Sequence, residues 1–219
     1  MVILMNKINF FINSKNICFN LDKIDILSNN VIFVTGLSGS GKTTFVRKIS
    51  KVYKATLFEL DNLGGFFGEY KESEELIHNL TDKFLNINYE LKEIIRQEKY
   101  VDLKIKNFDK YRYWTNKYIE FLLEYAKKQE RIFVFEGTQI FKCISAEKIS
   151  SNPLIIIGTS SFISLLRRIK RHYKIDKAKN KPNFFKKHLW KLLNDSKRLH
   201  FKDFKELNRF LAFYRNSCH

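Results

Sequence analysis

Apolar residues follow two rhythms along this chain. Short runs such as Val31-Ile-Phe-Val-Thr35, Arg131-Ile-Phe-Val-Phe135 and Leu154-Ile-Ile-Ile157 have the length and branched side chains of buried strands, and Thr56–Leu60 is another. Elsewhere the spacing is helical. Leu76, Leu80, Phe84, Ile87, Leu91 and Ile94/Ile95 predict a helix from Ser73 to about Tyr100, and Ser73 followed by Glu74 and Glu75 suits its start. Tyr118, Phe121, Leu122 and Tyr125 predict a second over Tyr113–Lys128, and Trp190 with Leu189, Leu192 and Leu193 reads as helix core. Ahead of these, Ile8–Ile12 and Asn16–Leu21 read as two short strands joined by a hairpin turn at Asn13-Ser14-Lys15. Strands alternating with helical stretches predict an α/β fold with a mainly parallel sheet, whose ligands bind at the carboxyl ends of the strands.

A chain of 219 residues can bury one sizeable core, and only two prolines and eight glycines interrupt it. A single domain is expected over residues 1–219. Within it, residues 1–30 form N-terminal strands, 62–130 a helical insert and 160–219 a basic lid with C-terminal helices. The apolar start Val2-Ile-Leu-Met5 is broken by Asn6, Lys7 and Asn9, which argues against a signal peptide or membrane span. Cys18, Cys143 and Cys218 are odd in number and widely spaced, as expected of thiols in a reducing cytoplasm. The five histidines make no zinc-ligand pattern. The net charge is +17, and residues 164–205 carry 15 Lys and Arg against 3 acidic residues. Two readings of that segment stand, a solvated lysine-rich face and a track for an acidic or nucleic-acid partner.

The strand at Val31 runs directly into Gly36-Leu37-Ser38-Gly39-Ser40-Gly41-Lys42-Thr43-Thr44, which contains the phosphate-binding pattern Gly-x4-Gly-Lys-Thr. Gly36, Gly39 and Gly41 allow backbone conformations that turn successive N–H groups inward around phosphate oxygens. The helix expected from about Lys42 adds its dipole and unpaired amides. Lys42 reaches the β/γ-phosphates, the Thr43 hydroxyl is placed for Mg²⁺, and Thr44 makes a phosphate or helix-start contact. A nucleoside triphosphate with Mg²⁺ is therefore the expected ligand.

Chemistry is also expected at other strand ends. Asp61 ends the second strand of the α/β unit, with Glu59 two residues earlier on the same face. Glu136 ends the strand at Phe133–Phe135, where an acid can hold Mg²⁺ directly or through water, and Thr138 and Gln139 follow within reach of an acceptor. Arg167, Arg168 and Arg171 fall on a helix expected from Ser161 or Ser164, spaced so that pairs of them face one anion. Tyr111-Arg-Tyr-Trp114 reads as core beneath a helix start, with Arg112 open to an anion in the alternative reading. Phe66 and Phe67, among glycines, suit an acceptor pocket.

In this order of parts the chain resembles P-loop kinases of small molecules and nucleotides, including adenylylsulfate kinase, zeta-toxin-like kinases and chloramphenicol phosphotransferase. The matching pieces are Gly36–Thr43, Leu60-Asp61, Val134-Phe-Glu-Gly137 and Leu166-Arg-Arg-Ile-Lys-Arg171. The resemblance implies a three-layer P-loop NTPase fold and transfer of the γ-phosphoryl of ATP to a small-molecule or nucleotide acceptor. It also implies that Asp61 addresses the acceptor hydroxyl, that Glu136 serves Mg²⁺, and that the arginines form the lid. Two alternatives stand beside it: a polynucleotide 5′-hydroxyl kinase using the basic C-terminal region, and an NTP-binding switch or ATPase without an acceptor. The string Asp61-Asn-Leu-Gly64 matches a GTPase element, but no Asn-Lys-x-Asp sequence accompanies it.

Overall fold

The computed structural model describes residues 9–13, 30–62, 75–97, 100–149, 152–158, 163, 166–167, 169–170 and 182–217. Five strands, β1 (Asn9–Asn13), β2 (Val31–Thr35), β3 (Thr56–Glu59), β4 (Phe133–Glu136) and β5 (Leu154–Gly158), form one sheet in the order β1-β5-β2-β4-β3. Every pairing is parallel. Among the described residues the fully bounded helices, in chain order, are α1 (Lys42–Tyr53), α2 (Glu75–Ile87), α3 (Tyr89–Gln97), α4 (Tyr100–Lys106), α5 (Phe108–Lys127), α6 (Gln139–Cys143), α7 (Ala146–Ile149) and α8 (Pro182–Ser217). A 3-10 turn, Leu60–Asn62, follows β3.

Strand alternation assigns each side chain to a layer. Ile32, Val34, Val134, Ile155 and Ile157 face Phe45, Val46 and Ile49 of α1. Val31, Phe33, Phe133, Phe135, Leu154 and Ile156 face the larger helical layer, which supplies Leu80, Phe84, Trp114, Tyr118 and Leu122. Strands buried on both sides read as unbroken apolar runs, which is why they were legible in the sequence. Register places Phe33, Phe135 and Phe58 in one row across three strands. Their rings stack at 5.5 Å (Phe33 on Phe135) and 5.1 Å (Phe58 on Phe135), so a one-residue slip of any strand would break the row and turn its phenylalanine to the α1 face.

Several expected elements differ. The strand near Ile8–Ile12 is present as β1, but it pairs in parallel with β5, so it does not form a hairpin arm; Asn16–Leu21 and its turn lie outside the described residues. The helix expected from Ser73 to Tyr100 is two helices, because Asn88 breaks it. The Asn88 side chain donates to the Phe84 carbonyl at 2.8 Å, taking up a helix-end acceptor, and the Asn88 carbonyl accepts from Lys92 N–H to start α3. The helix expected from Tyr113 begins five residues earlier, at Phe108, where the Asn107 side chain caps it by accepting from Lys110 N–H at 3.0 Å. Tyr111 and Trp114 are therefore buried inside α5, while Arg112 and Tyr113 are exposed on it. The short helices α4, α6 and α7 were not anticipated. Among the described residues no helix is long and apolar enough to cross a membrane.

Candidate functional site

The glycine-rich loop leaves β2 at the centre of the sheet, with β4 on one side and β5 on the other. Gly36 has φ +145°, and a Cβ there would meet the Ile157 carbonyl oxygen at 2.3 Å, so only glycine lets the loop pass so close to the end of β5. Gly39 and Gly41 are also left-handed, with φ of 87° and 99°. Gly41 caps α1 without a side-chain hydrogen bond, and no acidic residue lies in the first turn. The positive end of α1 is thus met by backbone amides and no side-chain acceptor, an arrangement suited to an anion.

Two side chains of the first turn converge on one carboxylate. Lys42 is 5% exposed, and its Nζ lies 3.7 Å from Glu136 Oε1 while donating to the Leu37 carbonyl at 3.3 Å. The Thr43 hydroxyl donates to Glu136 Oε2 at 3.3 Å. Glu136 ends β4 and is 3% exposed. Burial pushes its carboxyl up to about 7; Lys42 and the Thr43 hydrogen bond oppose the rise, and the charges of Asp61 and Glu59 add to it. Glu59 is its register partner on β3 and is paired with Arg47 of α1 at 3.3 Å. A third carboxylate, Asp61, stands exposed on the 3-10 turn rather than on the strand.

Asp61 is held from the far side of β4. Its Oδ1 accepts from Thr138 N–H at 2.8 Å and from the Thr138 hydroxyl at 2.7 Å. Between Glu136 and Thr138, Gly137 has φ +152°, and a Cβ on it would meet Asp61 Oδ1 at 2.9 Å and Asp61 N at 3.1 Å. The same turn is fastened to β2, since Gly137 N–H donates to the Val34 carbonyl at 3.1 Å and the Thr35 hydroxyl donates to the Gly137 carbonyl at 2.9 Å. The three residues 136–138 therefore tie the loop strand, the buried Glu136 carboxylate and Asp61 into one unit.

Of the predicted site residues, the structure brings together Gly36–Thr43, Glu136 and Asp61. Arg167 joins them, donating from Nη1 to the Gly39 carbonyl at 3.2 Å. Thr44 is exposed on α1. Arg168, Arg171, Phe66 and Phe67 lie outside the described residues, as does the side chain of Trp190. Two expectations change. Thr138 has its hydroxyl committed to Asp61, and Gln139 is buried with its Oε1 accepting from the Cys143 thiol at 3.3 Å. Thr35 was missed, because an apolar run ending in threonine carries no signal until its partner is known.

Among the described residues no group of three or more His, Cys, Asp or Glu side chains forms a metal-binding cluster. Mg²⁺ asks for less: one or two protein oxygens beside phosphate and water, and the Thr43 hydroxyl and Glu136 carboxylate fit that donor set. Comparison with protein-family models gives no match, and no curated protein is similar in sequence.

Proposed function

We propose that this chain is a phosphotransferase of the P-loop kinase type, moving the γ-phosphoryl of ATP to an acceptor hydroxyl with Mg²⁺ bound. One observation carries the reading: Lys42 and Thr43, at the start of a helix opened by three left-handed glycines, meet on the buried Glu136 at the end of the neighbouring strand. The loop amides and Lys42 bind the β/γ-phosphates. Thr43 and Glu136 would hold Mg²⁺, which when bound would neutralise charge on the phosphate oxygens. Asp61 keeps Oδ1 on Thr138 and turns Oδ2 to the acceptor, taking its proton as the acceptor oxygen bonds to the γ-phosphorus and the bond to the leaving ADP oxygen breaks. Arg167, beside Gly39, neutralises charge that develops on the transferred group.

The test is transfer of label from γ-labelled ATP with Mg²⁺ to pooled nucleosides, nucleotides, sugars, other alcohols and 5′-hydroxyl oligonucleotides, with Lys42→Ala as control. Label in an acceptor supports the kinase. Label found only in free phosphate turns the reading to an ATPase, and equal activity in Lys42→Ala removes the loop from it.

A further inference from the structure

The outer face of α8 mixes cations with aromatic rings. Between Lys197 and Phe213 the helix packs on α6 and α7, and His200, Asp203, Leu207 and Phe210 are buried. Their spacing of three and four residues makes one inward stripe. Within it Asp203 is bonded to Lys142 of α6, so this carboxylate is turned away from the outside.

The outward residues have a different composition. Lys197, Arg198, Lys202, Lys205 and Arg209 are all exposed. Besides Asp203 the stretch has one carboxylate, Glu206, 4.0 Å from the Lys202 ammonium. Two phenylalanines stand among these cations, Phe201 at 59% exposure and Phe204 at 43%. At about 3.6 residues per turn, Phe204, Lys197, Phe201 and Lys205 follow one another around about 100° of the helix, with Arg198 and Arg209 next.

That mixture discriminates between anionic partners. A helix lying on a lipid surface keeps an apolar face apart from a charged one. On α8 the apolar stripe is already spent on α6 and α7, and the outer rings sit between lysines. A single strand of nucleic acid matches the face, since its phosphates meet the cations while its unpaired bases stack on the rings. From Lys197 to Arg209 the helix axis runs about 18 Å, the length of about five stacked nucleotides at about 3.4 Å each.

We infer that the outer face of α8, through Phe201, Phe204 and the cations around them, binds single-stranded nucleic acid by charge and stacking, without preference for base sequence. None of these residues belongs to the glycine-rich loop or its carboxylates, so the inference stands whether or not the chain transfers phosphate.

The full chain is titrated into a fluorescein-labelled oligothymidylate of about 20 nucleotides, read by anisotropy between about 50 and 200 mM salt. Saturable binding is expected, its logarithm falling with that of the salt by about 0.7 for each phosphate neutralised. Phe201→Ala and Phe204→Ala each weaken it by about fivefold or more and leave the slope unchanged, because they remove stacking and no charge. Phe201→Trp keeps the affinity. Lys197→Gln together with Lys205→Gln makes the slope shallower by about 1.4. Denaturation midpoints equal to that of the wild type show that these exposed substitutions leave the fold intact. Four results overturn the inference: no saturable binding, an affinity unchanged by loss of both rings, a duplex of the same sequence bound as tightly, or phosphatidylserine vesicles bound while the oligonucleotide is not. Binding that ignores the rings is attraction to the net charge of +17 alone.

Discussion

In the proposed kinase the nucleotide side and the acceptor side of the site would be built by different means. On the nucleotide side, contiguous residues 36–43 bend through left-handed glycines into a helix whose cap offers backbone amides and no side-chain acceptor. On the acceptor side, Asp61 comes from one turn and Thr138 from another, 77 residues further along the chain. A site made of local backbone is portable and reads the part of a substrate that never varies. A site assembled from distant side chains is specific to one fold, and it is where a particular acceptor is chosen.

Substitutions can break this contrast, and the nucleotide side should give the largest effect. Lys42→Ala is expected to lower turnover by about 10³-fold, measured as transfer or hydrolysis of γ-labelled ATP. Asp61→Asn should leave the affinity for a fluorescent ATP analogue within about twofold while lowering transfer by about 10²-fold, since its amide oxygen can still accept from Thr138 while the proton acceptor is gone. Full transfer in that variant would move the role to another carboxylate. Gly137→Ala puts a methyl group 2.9 Å from Asp61 Oδ1 at a left-handed position, and should cost about 2 kcal/mol in denaturant unfolding. It should also harm transfer more than nucleotide binding.

A further effect is set by pH. The Glu136 carboxyl titrates at about 7 in the folded chain and near its ordinary value of 4.5 when unfolded. The folded state therefore holds the extra proton between those values, and this contribution to stability is full at low pH and lost as pH rises through about 7. Glu136→Gln should flatten the change in denaturation midpoint between pH 5 and 8. If its profile runs parallel to that of the wild type, burial of Glu136 is not what sets the slope.

What could be read from the sequence follows the same division. The loop was legible because its chemistry requires fixed spacing, and β2, β4 and β5 because burial on both faces demands continuous apolar runs. Asp61 and Glu136 could be marked by their places at strand ends. The bond from Thr138 to Asp61 spans 77 residues, and no local pattern announces it. The early start of α5 could have been found, since Asn107 ahead of Asp109 is a cap signal that the aromatic cluster behind it obscured.

The pairing of β1 with β5 also constrains the order of events in synthesis. Asn9 is matched to Leu154, so the first strand must wait for about 145 further residues before its partner exists. At ordinary translation rates of about 5–20 residues per second, that wait lasts roughly 7–30 s. Throughout it, Phe10-Phe-Ile12 remains an unmatched apolar strand and a target for holding chaperones or for aggregation. The β1 edge of the sheet can therefore close only after β5 has been made.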